Sequence, residues 1–128
     1  MQHSDRAGEF LFIWKVYGTL IQPEAEYPFD KHLGRKHRFD WAFKDYKVAV
    51  EIEGNSWRAP GGGKHMMDRD LEKYNIAATL GWLLLRFSPT MLRKDPETCV
   101  KQVIQAMEVR NLGQSMKSLV LRGHASMR

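Results

Sequence analysis

The sequence predicts an α/β protein in which a mixed β-sheet is flanked by helices, in the order α, β, β, β, α, β, α. Three observations carry this. Two neighbouring runs, 38–43 and 48–53, alternate with the period of a strand, three other stretches repeat apolar residues at helical spacing, and one short run, 82–87, is almost wholly apolar. The 128 residues fit one domain and exclude a barrel enzyme of roughly 250. With 43% hydrophobic and 27% charged residues the chain has the composition of a protein that buries a core, and disorder is not its default.

Phe10, Ile13, Trp14, Tyr17 and Ile21 mark one face of a first helix over about 5–20, with Ser4 or Asp5 as its N-cap and Gly18 near its end. Pro23, Pro28 and Gly34 then break the chain into a loop, where Tyr27 and Phe29 suggest a short edge strand. In the next strand Phe39, Trp41 and Phe43 share a face. Lys44 and Asp45 turn the chain, and Val48, Val50 and Ile52 line one side of the following strand while Ala49, Glu51 and Glu53 line the other. The two strands read as a hairpin. After a loop from Gly54 to Gly63, Met67, Leu71, Tyr74 and Ala78 outline the buried face of a second helix that Gly81 terminates. Trp82 to Phe87 reads as a strand covered on both faces, closed by Ser88-Pro89. Asp95 caps a last helix with Pro96 at its first position and Val100, Val103, Ile104 and Met107 as its core stripe. Residues 1–110 are expected to form the domain, and 111–128 a loose or weakly helical basic tail.

The formal charge is +5, and the segment 109–128 holds Arg110, Lys117, Arg122 and Arg128 without an acid, which leaves only +1 for the rest. Such a balance favours acidic partners, nucleic acid first among them. Cys99 stands alone, so an intramolecular disulfide and CxxC zinc or redox chemistry are excluded, and a reducing cytoplasm is the expected compartment. The apolar stretch Phe10 to Ile21 contains Lys15 and is shorter than a membrane span of about 20 residues, so neither a signal peptide nor a membrane partner is expected.

Asp40, Glu51 and Glu53 are the most informative residues. A strand period of two points both glutamates the same way, and half-buried carboxylates repel one another unless a cation intervenes. Hard, oxygen-liganded Mg²⁺ suits such a group, and a bound Mg²⁺ lowers the pKa of water and neutralises charge on a phosphate under attack. That is the chemistry of phosphodiester hydrolysis. The competing explanation is a solvated strand face.

The run Arg38-Phe39-Asp40-Trp41-Ala42-Phe43, with Val50-Glu51-Ile52-Glu53-Gly54 placed so that ten residues separate Asp40 from Glu51, resembles the PD-(D/E)XK nuclease superfamily. It is most similar to the small endonuclease domains related to very-short-patch repair enzymes and to the DUF559-like nucleases of phages and prophages. Lys64-His65, Asp70-Leu71-Glu72-Lys73-Tyr74-Asn75 and Gly81 to Phe87 follow the helix and strand of that group, so the resemblance covers about residues 5–108. It implies a restriction-endonuclease-like core, a metal held by Asp40 and Glu51 with the carbonyl of Ile52, and products with 5′-phosphates. The chain departs from the pattern where Glu53 takes the place of the lysine that positions and activates water. Some relatives supply that group from the following helix, which makes Lys73 its candidate replacement, with an ordinary surface lysine as the alternative. Glu9 is either a further carboxylate from the first helix or a glutamate that serves the helix dipole.

His65 follows the glycine-rich loop as a histidine does in the similar nucleases, where it contacts phosphate or orients water. Trp57, Arg58 and Lys64 flank the same loop and, with Arg38, are candidates for contacting nucleic acid. His3, His32, His37 and His124 lack zinc spacing. Gly61 to Gly63 lack the GxxxxGK[ST] pattern of a nucleotide-binding loop. The expectation is a DNA endonuclease dependent on Mg²⁺, with Mn²⁺ as substitute, in the cytoplasm of a bacterial cell. Branched or Holliday-junction DNA is a plausible substrate, and junction cutting requires a homodimer. The alternative is a non-catalytic DNA-binding module with a nuclease-like fold.

Overall fold

A computed structural model describes the backbone of residues 2–54 and 63–126 and the side chains of residues 7–54 and 68–113. The elements are α1 (Gln2–Tyr17), β1 (Glu24–Tyr27), a 3₁₀ turn (Lys31–Leu33), β2 (Phe39–Phe43), β3 (Val48–Ile52), α2 (Gly63–Thr79), β4 (Leu83–Phe87), α3 (Pro89–Lys94) and α4 (Pro96–Ser126). The sheet has the order β1-β2-β3-β4, antiparallel except for the parallel pair β3 and β4. This is the expected α/β architecture with a mixed sheet flanked by helices.

The central hairpin forms because its alternating residues find cover on both faces. Every position of β2 and β3 is buried. On one face α1, α3 and α4 close over a large core that includes Phe10, Trp14, Phe43, Val50, Leu92 and Val103. On the other, α2 covers a smaller one of Phe29, Phe39, Ala42, Ala49, Ala77 and Trp82. The directly opposed Ala42 and Ala49 keep that face shallow and leave room for the aromatic rings beside them. Trp14, Trp41 and Trp82 are core residues, as expected. Two of the indoles also find polar partners, with Trp14 Nε1 donating to the Ile21 carbonyl at 2.8 Å and Trp41 Nε1 to that of Ala7 at 2.7 Å.

Several expectations need correction. The first helix ends at Tyr17, and its core face stops at Trp14, because Tyr17 and Ile21 are exposed. Gly18 follows the helix end, its N–H donating to the Trp14 carbonyl at 2.7 Å, and packs so closely there that a Cβ would stand 2.5 Å from both the indole and that carbonyl. Phe39 leaves the face of Trp41 and Phe43 and stacks on Phe29 in the smaller core, with ring centroids 3.9 Å apart. The apolar run at 83–87 is the strand at the end of the four-stranded order, bordered among the described residues by β3. It is covered on both faces in part: Leu84 packs on the smaller core and Leu85 on the larger, both half-buried, while Leu83 is exposed. The buried row of α2 is also rotated from the predicted one, with Ala77 buried but Leu71 and Ala78 exposed; the side chain of Met67 lies outside the described residues.

Ser88 does more than close β4. Its hydroxyl accepts the Met91 N–H at 3.1 Å and caps α3, a helix the sequence pattern did not separate from α4. Asp95 caps α4 as expected, accepting from the N–H and hydroxyl of Thr98. Of the segment read as a loose or weakly helical tail, residues 111–126 are helical and belong to α4, which runs without a break past position 110 to Ser126. Among the described residues no helix is long and apolar enough to cross a membrane.

Candidate acidic site at the end of the sheet

The β2–β3 ladder pairs Phe43 with Val48, Ala42 with Ala49 and Trp41 with Val50. One residue further on, side chains carry the link between the strands. Glu51 Oε2 accepts the Asp40 backbone N–H at 2.8 Å, and Asp40 Oδ2 accepts the Ile52 N–H at 2.7 Å. Both acids are held in fixed rotamers by these crossed bonds. They are also buried, at 5% exposure for Asp40 and 8% for Glu51. Two carboxylates so placed are costly unless charge balances them.

Lys73 supplies one such charge from α2. Its Nζ lies 2.5 Å from Glu51 Oε1, a charge-assisted contact with little solvent around it, and 5.9 Å from the centre of the Phe39 ring. Burial nevertheless pushes the Glu51 carboxyl above the ordinary carboxylate range, with the charge of Asp40 adding to the rise and Lys73 opposing it. Among the described residues the site sets these two acids beside the Lys73 ammonium. Its donors are hard oxygens, so the residues fit a hard divalent cation such as Mg²⁺ in kind. Among the described residues no group of three or more His, Cys, Asp or Glu is arranged as a metal site.

Glu53 does not join this pair in any described contact. Its carboxylate accepts from the Tyr74 hydroxyl at 3.0 Å, and its backbone N–H bonds the Phe87 carbonyl at 2.9 Å. The Arg86 guanidinium sits 4.0 Å over the Tyr74 ring. Burial and the neighbouring Glu53 push the Tyr74 phenol upward, so it stays a hydrogen-bond donor at neutral pH. The sequence marks Tyr74 as a residue of the buried face of α2 and does not mark it or Arg86 as part of the site. Their signals are indirect: Tyr74 follows Lys73 on α2, and Arg86 is the one charged residue in an apolar strand, in register with Glu51.

Glu9 is half-buried on α1 with its carboxylate 3.7 Å from Arg93 of α3. Arg38 is exposed, and its Nη1 donates to the Glu26 carbonyl at 3.3 Å. Trp57 and Arg58 lie outside the described residues. Lys64 and His65 fall in the first turn of α2, but their side chains also lie outside the described residues. The sequence is 28% identical over 89 residues to two uncharacterised proteins from two strains of Mycobacterium tuberculosis, a match that covers 70% of this chain. The chain spans about a third of the length of these relatives, 32% in each case. No family model matches it. No solved structure gives a significant match.

Proposed function

We propose that the chain is a metal-dependent DNA endonuclease of the PD-(D/E)XK type, hydrolysing phosphodiester bonds to leave 5′-phosphates. One observation carries the reading: Lys73, from the helix after the acidic strand, stands against Glu51 beside Asp40. In this reading Lys73 supplies the ammonium that the sequence motif, with Glu53 in the lysine position, lacks. In this reading Asp40 and Glu51, with the carbonyl of Ile52, would hold Mg²⁺ or Mn²⁺, which when bound supplies charge neutralisation at the phosphate. The protein's own part is positional. The crossed backbone bonds fix the two carboxylates, Lys73 orients the attacking water, and the Glu53–Tyr74 bond holds the end of β3 against α2.

Cleavage of supercoiled plasmid, single-stranded DNA and a four-way junction in Mg²⁺, Mn²⁺ or EDTA tests this directly. The expected result is metal-dependent cutting that Asp40→Ala and Glu51→Ala each abolish, without loss of the folded circular-dichroism spectrum. Preferential cutting of the junction would add structure selectivity, and then sedimentation on that substrate should show a dimer. Binding by the wild type with no cutting under any metal would transfer the assignment to a non-catalytic DNA-binding module.

A further inference from the structure

Between the edge strand and β2, residues 30–38 hold Lys31, His32, Arg35, Lys36, His37 and Arg38 against a single acid, Asp30. That acid is fully buried, and its groups turn inward. Asp30 Oδ1 accepts the His37 backbone N–H at 3.0 Å, and Oδ2 meets His37 Nδ1 at 2.6 Å. Its carbonyl accepts the N–H groups of Leu33 at 3.0 Å and Arg35 at 3.2 Å. Gly34 closes the turn in the left-handed region at φ 76°. The loop is therefore folded around its own negative charge, with Lys31, Arg35, Lys36 and Arg38 left on the outside.

Across from this loop stands α2, and the two enclose a groove of about 420 Å³ lined by Gly34, Arg35, Lys36, His37, Arg69 and Glu72. An ion pair from Arg35 to Glu72 ties the loop to the helix. The lining still carries three permanent cations against one acid. Arg69 precedes Lys73 by four residues, which puts both on one flank of α2 about 6 Å apart along the axis. The helix that forms one wall of the groove thus also carries Lys73, the residue that meets Glu51.

We infer that this groove binds the phosphodiester backbone of a DNA strand, with Arg35, Lys36 and Arg69 holding phosphates beside the one placed at Asp40 and Glu51. The inference rests on the proposed function for the direction of the strand. Two guanidinium groups and an ammonium in an open channel match a repeating anion, and a loop braced from inside by Asp30 presents them without a large ordering cost. Its contribution is to affinity, through counterion release, and not to base recognition.

The test is binding of a labelled DNA duplex by the full chain in EDTA, followed by fluorescence anisotropy over a range of salt. The double variant Lys36→Ala/Arg69→Ala is compared with Lys94→Ala/Lys101→Ala, which removes the same charge from α3 and α4 on the opposite face. The groove variant should raise Kd by about tenfold or more and reduce the slope of log Kd against log salt by about 2, near 0.9 for each lost phosphate contact. The control pair should change Kd less than about threefold. Equal losses in the two variants, or no binding by the wild type, would overturn the inference. Cutting assayed in parallel keeps the two readings apart. A wild type that cuts in Mg²⁺ while the groove variant binds normally retires the groove alone, and groove-dependent binding without any cutting retires the nuclease assignment alone.

Discussion

Burial at Glu51 opposes its charge and Lys73 supports it, and burial prevails, so the carboxyl is raised above its ordinary 4.5. A raised folded-state pKa means that the native chain keeps a proton which the unfolded chain has already released. The stability linked to Glu51 is therefore complete below about pH 4.5 and is lost as pH rises through the folded value. Glu51→Gln removes that titration, although its single amide oxygen can accept from Lys73 or from the Asp40 N–H but not from both. In EDTA the melting temperature of the variant relative to the wild type should therefore rise as pH goes from 4 to 8. A difference that moves the other way would reverse the sign and place the favourable Lys73 contact above desolvation. The partner substitution behaves differently. Lys73→Met removes the ammonium from Glu51, yet Glu51 can take up a proton. Its cost in urea unfolding should therefore fall short of the ~3–5 kcal/mol typical of a broken buried ion pair.

At the scale of the element, Gly18 shows how little room the chain has where it leaves α1. A methyl group there meets both the indole and the carbonyl of Trp14, a fully buried residue at the centre of the larger core. Gly18→Ala should cost about 1–3 kcal/mol through overpacking, read as a lower urea midpoint with an unchanged m-value. An unchanged midpoint would mean that the turn after α1 moves aside freely. The same element marks what a sequence pattern can and cannot convey. Strict alternation made β2 and β3 legible as a hairpin, and Asp95-Pro96 made the start of α4 legible, because in each case a local rule agrees with the tertiary packing. The pattern failed where long-range contact decides. The apolar run at 83–87 carries no mark that it stands at the end of the four-stranded order, and Phe39 changes face where Asp40 and Glu51 replace the ladder with side-chain bonds. In α2 the row facing the sheet includes Lys73 beside Tyr74, whose partners Glu51 and Glu53 lie at and just beyond the end of β3. The hydrophobic pattern includes Tyr74 but not Lys73, because it cannot locate the charged part of a buried face. Asp40 and Glu51 stood out in the sequence, whereas Asp30 and its basic loop did not, because burial of a lone aspartate is invisible until its bonds to His37 are seen.

For the whole molecule, packing and charge fall on different parts of α4. Among the described residues, the last that α4 contributes to the larger core is Met107, while the segment 111–128 carries Lys117, Arg122 and Arg128 with no acid. Deleting 111–128 would lower the formal charge from +5 by three, to +2. Since no described core residue is lost, the shortened chain should unfold cooperatively near the wild-type midpoint. Its affinity for DNA should still drop at low ionic strength, because the tail contributes to the field that draws in a polyanion. That deficit should shrink as salt approaches 1 M, where the Debye length is about 3 Å and only close contacts survive screening. The groove between the basic loop and α2 predicts the complementary behaviour, a deficit that persists relative to wild type wherever binding is still measurable and changes the salt slope. Titrating both forms over the same salt series separates the two contributions. A tail deletion that unfolds the chain would instead make the far part of α4 a structural element, with the domain boundary beyond residue 110.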